Sequence, residues 1–371
     1  MKSKISFVFL TLFCLVITAK AQVVEQMISH FNKLKNLSYK STTISKDFFS
    51  DKLYFDTVQS VITMQPQLTF KMKGTDLEDI YDGNKLSKLQ FSDRTYRIST
   101  DPTKAAHYNE SLPYLIKKID DYLKKGIRPV RLKDSVINGI SYFHVKIKDL
   151  DSIKNNKPVF SETNLLIDKK TYLLSYFRND SKGFIDGTNI HLTVFNEYHF
   201  SHYQLNATKL PDLSMPKLPA NFTTEKPKLP LLAKGAIAPE IPLYTLNGQN
   251  LQRSALKGKV LLFNFTDNGC PHCVEAIETL NKLQERYQSA DFALISINLL
   301  DDKASILKFD QSFGVKYPTY TSDKTTLETY RVQAYPLFYL IDKSGRITYA
   351  LNGFSADLGK QLEQEVKNLL K

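Results

Sequence analysis

The chain has no tryptophan and only three cysteines in 371 residues. Cys14 lies in the apolar start of the chain, so a processed protein would keep only Cys270 and Cys273. So few cysteines exclude a scaffold stapled by several disulfides, and also a zinc site built on two cysteine pairs. Long apolar runs are lacking too: Ile5 to Ala19 is apolar apart from hydroxyls and Cys14, and is short for a membrane span. Acidic residues number 38 against 50 Lys and Arg, a net charge of +12. The excess is spread along the chain rather than massed in a block. That pattern argues for solubility and weak attraction to anionic membranes, and against nucleic-acid binding. No internal repeat is evident.

Met1-Lys-Ser-Lys4 is basic, an apolar stretch follows, and Ala19-Lys-Ala21 supplies small residues at the cleavage positions. The pattern predicts a secretory signal peptide over 1–21, cut after Ala21. Its removal takes away Lys2, Lys4 and Lys20 and lowers the net charge by three, to +9. Leu12 and Phe13 are too bulky for lipidation at Cys14. The expected location is the periplasm or cell envelope, reached by export across the inner membrane.

The chemistry is concentrated in Cys270-Pro271-His272-Cys273, which follows the apolar run Lys259 to Phe265 and opens a predicted helix. Two intervening residues make one short helical step, so the two sulfurs can come within disulfide range. At a helix N-terminus, free N–H groups and the helix dipole stabilise a thiolate, which makes Cys270 the expected nucleophile. Cys273, one turn in and more buried, is the expected resolving thiol. His272 adds a donor or positive charge that favours the thiolate. Pro271 suits the first helical turn. The order predicted around the site is strand 259–265, helix 271–288, strand 291–298, helices 303–313 and 325–331, strands 337–342 and 346–351, and helix 355–370. Asp342 to Gly345 is expected to turn between the last two strands.

These features resemble the TlpA/ResA-like thioredoxins, a branch of extracytoplasmic thiol–disulfide oxidoreductases. The matching stretches are Gly235 to Glu240, Leu246-Asn-Gly248, Leu256 to Val260, the Cys270–Cys273 motif, Tyr335-Pro336 and Leu340 to Gly345. The resemblance implies an α/β thioredoxin fold over 235–371 and a redox disulfide Cys270–Cys273. It further implies a cis Pro336 facing the dithiol, with Tyr335 and Pro271 beside the substrate backbone. No bound cofactor or metal is implied. Expected partners are protein thiol or disulfide substrates and a membrane electron donor or acceptor. The chain departs from the family in three places. Phe265-Thr-Asp-Asn-Gly269 stands where an aromatic pair with tryptophan is usual. Ala276 stands where a proton-handling glutamate is common, with Glu275 and Glu278 beside it. Asn264 stands where thioredoxin has a buried acid. Asp267 opposes a thiolate if it lies close.

The Pro-His dipeptide matches that of the bacterial periplasmic disulfide oxidase, whereas the TlpA/ResA likeness points to a reductant; the sequence leaves the direction open. The copper-delivery relatives of thioredoxin carry a different cysteine spacing, so the resemblance does not imply a copper site. A peroxidase of the related redoxin group would carry threonine where this chain has Asp267.

Residues 22–205 form a predicted α+β domain, a curved antiparallel sheet with helices. Val24, Met27, Ile28, Phe31 and Leu34 recur at helical spacing over 23–37, and a second amphipathic helix is expected over 114–125. Alternating strands are expected over 38–45, 52–64, 67–74, 77–81, 85–91, 95–99, 130–137, 141–147, 162–167, 173–179 and 190–202. Turns are expected at Asp82-Gly-Asn84 and Asn138-Gly139. The pattern resembles the lipoprotein-sorting LolA/LolB-like folds, which implies a lipid or an envelope protein as partner. In that competing reading the thioredoxin part is a docking module. His191 and His199 are about 26 Å apart along one extended strand and His202 faces away, which argues against a metal site. Residues 206–234, rich in proline and lysine, are expected to be an extended connector.

Overall fold

A computed structural model of the chain describes residues 22–46, 49, 52–185, 190–213, 219–224, 229–251, 253–288 and 291–371. The expected signal peptide lies outside the described residues. The chain divides into two compact units. One gathers the described residues of Met1–Asp47, Asp51–Gly183 and His191–Lys226; the other gathers those of Phe48–Ser50, Phe184–Ile190 and Pro227–Lys371.

In the first unit, thirteen strands among the described residues form one sheet. It is antiparallel apart from Thr223–Thr224, which runs parallel to Thr95–Ser99. Asn36–Lys46 pairs with Leu53–Thr63 on one side and His191–Leu205 on the other, so the unit's first strand lies mid-sheet. A helix over 22–32 and the helix Leu112–Lys124 pack into the same core. Val24, Met27, Phe31, Leu115, Ile116 and Ile119 from the helices meet Ile62, Phe70, Met72, Val145, Leu165 and Phe177 from the strands. The first helix stops short of the expected Leu37. Leu37 is fully buried as a strand residue, because its backbone pairs with Ile62 and Leu205. Asn138 and Gly139 both take positive φ, 50° and 77°, which the two-residue turn between Ser135–Ile137 and Ile140–Lys154 requires. The expected strand over 130–137 is two pieces, Val130–Arg131 and Ser135–Ile137, each paired with Ile140–Lys154. That long strand runs well past the expected 147, since its far end is exposed on both faces and shows no alternation.

Within the stretch expected as a connector, Thr223–Thr224 joins the first unit's sheet. Further along, Leu229 O accepts from Gln333 Nε2, Pro230 O accepts from Arg331 Nη1, and Leu232 N donates to Tyr339 Oη.

The second unit is a six-stranded sheet among the described residues, in the order Tyr244–Thr245, Thr319–Thr321, Phe292–Asn298, Val260–Thr266, Leu337–Ile341, Ile347–Asn352. Val260–Thr266 lies parallel to Phe292–Asn298 and antiparallel to Leu337–Ile341. These strands are apolar on both faces, as a sheet covered on both sides demands. Val260, Leu262, Leu294, Phe338 and Leu340 pack with Ala276, Leu280, Leu362 and Val366 of the helices Pro271–Tyr287 and Ala356–Leu369. Phe263, Phe265, Ile295, Ile297, Leu337 and Tyr339 form the opposite core with Tyr330. This is a thioredoxin-like α/β arrangement. Thr319–Thr321 and Tyr244–Thr245 were not foreseen from sequence, being too short to show a period.

Candidate functional site

Val260–Thr266 ends in a short loop, Asp267 to Gly269, before the helix begins. The loop is held from the neighbouring strand. Asn268 N donates to Asp301 Oδ2 at 2.9 Å, and Asn298 Nδ2 donates to both Asn268 Oδ1 and Asp301 Oδ2. Asp267 Oδ1 accepts from Gly269 N at 2.6 Å, so its carboxylate is engaged with the loop's own backbone.

Cys270 is the helix N-cap, with extended backbone, and Pro271 occupies the first turn. Cys273 N donates to Cys270 Sγ at 3.1 Å, so the sulfur takes the place of the usual capping oxygen. Cys270 and Cys273 are joined as a disulfide with Cα atoms 5.2 Å apart. Cys270 retains 8 % of its surface and Cys273 4 %. His272 points to the helix exterior, where its Nδ1 lies 2.9 Å from Glu275 Oε2. The Glu275 side chain is only 9 % exposed, and its other oxygen is buried with no hydrogen-bond partner. Glu278 is at the surface, its pKa lowered by the hydrogen bond from Lys282.

The Tyr335–Pro336 peptide is cis. Pro336 precedes Leu337, which pairs with Phe265, so it sits at the same end of the sheet as Thr266 and the cysteine loop. Its carbonyl accepts from Gly353 N at 2.8 Å. Tyr335 is half-buried; burial first, then the charges of Asp267 and Asp301, push its pKa up to about 12. Asn264 is buried and donates to Ser296 Oγ.

The three histidines of the strand His191–Leu205 go to separate partners: His191 to Pro158 O, His199 to Glu197, His202 to Ser201.

Sequence reasoning did not find Asn298, Asp301 or Asp310, the last of which lines a small cavity together with Cys273. The first two lie in Asn298-Leu-Leu-Asp301, at and just beyond the carboxyl end of a parallel strand, which is where open α/β sheets build their sites. That position was the available signal.

Residues 235–350 match the AhpC/TSA family. Over 135 residues the chain is 30 % identical to the thiol–disulfide oxidoreductase ResA of Geobacillus thermodenitrificans, covering 36 % of this chain and 76 % of that protein. The chain belongs to the ResA family of thiol–disulfide oxidoreductases. It is 25 % identical over 141 residues to ResA of Bacillus subtilis, covering 38 % of this chain and 77 % of that one. A putative protein disulfide isomerase from Bacteroides thetaiotaomicron is 26 % identical, with a TM-score of 0.36, covering 38 % of this chain and 91 % of that one. As a ResA-family member the protein is an enzyme of thiol–disulfide exchange, and the matched stretch contains both cysteines.

Proposed function

We propose that the protein works outside the cytoplasm, exchanging disulfides with protein substrates through Cys270 and Cys273. The observation that carries this reading is the capping geometry. Cys270 Sγ receives the Cys273 N–H at the positive end of a 17-residue helix, an environment that favours a thiolate there. In the reducing direction Cys270 thiolate attacks a substrate disulfide and a mixed disulfide forms; Cys273 then displaces the substrate thiolate and closes the Cys270–Cys273 bond. Oxidation of a substrate runs the same steps backwards. Tyr335 and Pro336 line up the substrate backbone beside the cysteines, and Pro271 and His272 shape and tune the nucleophile. The electron partner is a membrane protein. Export is supported by the leader-like pattern of residues 1–21. Among the described residues no helix is long and apolar enough to cross a membrane. For the first unit we propose docking of an envelope lipid or protein, supported by Val136, Ile137 and Ile140, exposed together on one hairpin.

Equilibration of the mature protein in glutathione buffers, with thiol trapping and mass spectrometry, tests the reading. A potential near about −120 mV makes the enzyme an oxidant and one near about −270 mV a reductant. A pair that never equilibrates with glutathione overturns the exchange reading.

A further inference from the structure

The resolving thiol has a chemical requirement that the cysteine motif does not meet. Cys273 is almost fully buried, and burial disfavours its thiolate. Before it can displace a substrate from Cys270 its proton must go to a nearby base. Ala276 carries no acid, and Asn264, on the strand beneath, is an amide bonded to Ser296. Cys273 does line a small cavity of about 10 Å³, close to the space one water occupies. Its walls include Ser296 and Asn298 from one strand, Thr319 from the next, and Asp310 from the helix Lys303–Phe313. We propose that Asp310 is the proton acceptor for Cys273, reached through a single water in this shared cavity.

The surroundings of Asp310 suit the task. Thr319 Oγ1 donates to its Oδ2 at 3.1 Å, which fixes the carboxylate against the cavity wall. The titratable groups facing the cavity are Cys273, Asp310 and Tyr317, and no lysine, arginine or histidine lines it. Tyr317 is held neutral by burial and by the Asp310 charge. Asp301 stands behind the wall, bonded to Asn298. Burial raises the pKa of Asp310 to about 6, against the lowering effect of the Thr319 bond. A base poised there is ionised at neutral pH yet still takes a proton readily.

The proposal rests on the reading that Cys270 attacks and Cys273 resolves. In the mixed disulfide, the Cys273 S–H bond breaks and its proton passes through the water to the Asp310 carboxylate. The Cys273 sulfur forms a bond to Cys270 Sγ while the bond from Cys270 to the substrate sulfur breaks. The substrate leaves as a thiolate. The protein dithiol has been oxidised to a disulfide and the substrate disulfide reduced to two thiolates, which take their protons from solvent, while the Cys273 proton rests on Asp310. When the enzyme is reduced again the proton returns by the same route.

The test mixes reduced full-length protein with dithiobis(nitrobenzoate) and follows nitrothiobenzoate release by absorbance. The first release reports attack by Cys270, the second resolution by Cys273. In the native protein the second release is expected to rise with pH through an inflection near 6, the value to which Asp310 is raised. In Asp310→Asn the first release persists, while the second slows about 100-fold at pH 7 and loses that inflection. Asp310→Glu restores the inflection. A second release at the native rate and pH profile in Asp310→Asn overturns the proposal and leaves the exchange reading standing. No first release overturns both. A measurement on the native sequence needs no variant: carbon-13 NMR of the Asp310 carboxyl is expected to show a midpoint that moves between the oxidised and reduced protein. An identical midpoint in the two forms rejects the coupling.

Discussion

His272 Nδ1 and Glu275 Oε2 lie 2.9 Å apart on the outer side of the helix that Cys270 caps. The histidine two residues after Cys270 therefore has a carboxylate partner, and the pair presents less net positive charge to Cys270 than histidine alone would. Removing the acid should favour the Cys270 thiolate, stabilise the reduced form and raise the potential. Removing the histidine should do the opposite and leave the mostly buried Glu275 charge unopposed. The expected outcome is Glu275→Gln more oxidising, and His272→Ala less oxidising, each by about 30 mV, which is tenfold in the exchange constant. Glutathione equilibration of the two variants checks it; shifts of the same sign would sink the argument.

The two cysteines should separate cleanly. On the proposed roles, Cys273→Ser keeps Cys270 at the helix cap and removes the group that closes the internal disulfide, so a mixed disulfide with substrate should accumulate. Cys270→Ser should form none. Non-reducing electrophoresis with mass spectrometry of the trapped adducts reads both. Equal trapping by the two variants would remove the assignment of roles.

The cysteine site was legible because its parts are contiguous: an apolar strand, a loop and a helix start within fifteen residues, 259–273. Pro336 came from resemblance rather than from the residues alone. Asn298, Asp301 and Asp310 were not legible, because their placement beside the cysteines depends on strand order. Phe292–Asn298 lies beside Val260–Thr266, and this adjacency brings Asp301 to Asn268 and puts Asp310 and Cys273 on one cavity. In the first unit, strands with one buried face announced themselves by alternation. The far end of Ile140–Lys154 did not, since its exposed residues carry no burial pattern to read. Leu37 shows the reverse failure: its helical spacing was real, and strand pairing overrode it.

Tyr335 gives a pH test of the site's electrostatics. A tyrosine in the unfolded chain ionises near about 10, whereas Tyr335 in the folded protein is pushed up to about 12. The folded state thus holds this proton more tightly. The contribution to stability is complete below the unfolded pKa and is lost as pH rises through the folded one. Asp301→Asn removes one of the two charges responsible while keeping an acceptor for Asn268 N. Absorbance titration of the tyrosine phenolate, as a difference against Tyr335→Phe, should place the Tyr335 midpoint lower in Asp301→Asn than in the native protein. An unmoved midpoint would mean that the Asp301 charge does not act on Tyr335 and that burial and Asp267 set it.

Leu280 tests how far the site depends on the packing beneath it. Its side chain is fully buried, one face of the cysteine helix set against Leu262, Leu294 and Leu340. Truncation to alanine removes buried methyl groups and leaves a cavity the sheet cannot close, at a cost of about 2–5 kcal/mol. Because Leu280 lies two turns beyond Cys273, the N-cap hydrogen bond should survive in molecules that remain folded. Denaturant unfolding should therefore show a lower midpoint, while the Cys270–Cys273 potential, measured well below that midpoint, stays within about 10 mV of the native value, a third of the shift that marks a tenfold change. A large change in potential without loss of stability would show that the helix transmits core packing directly to the thiolate.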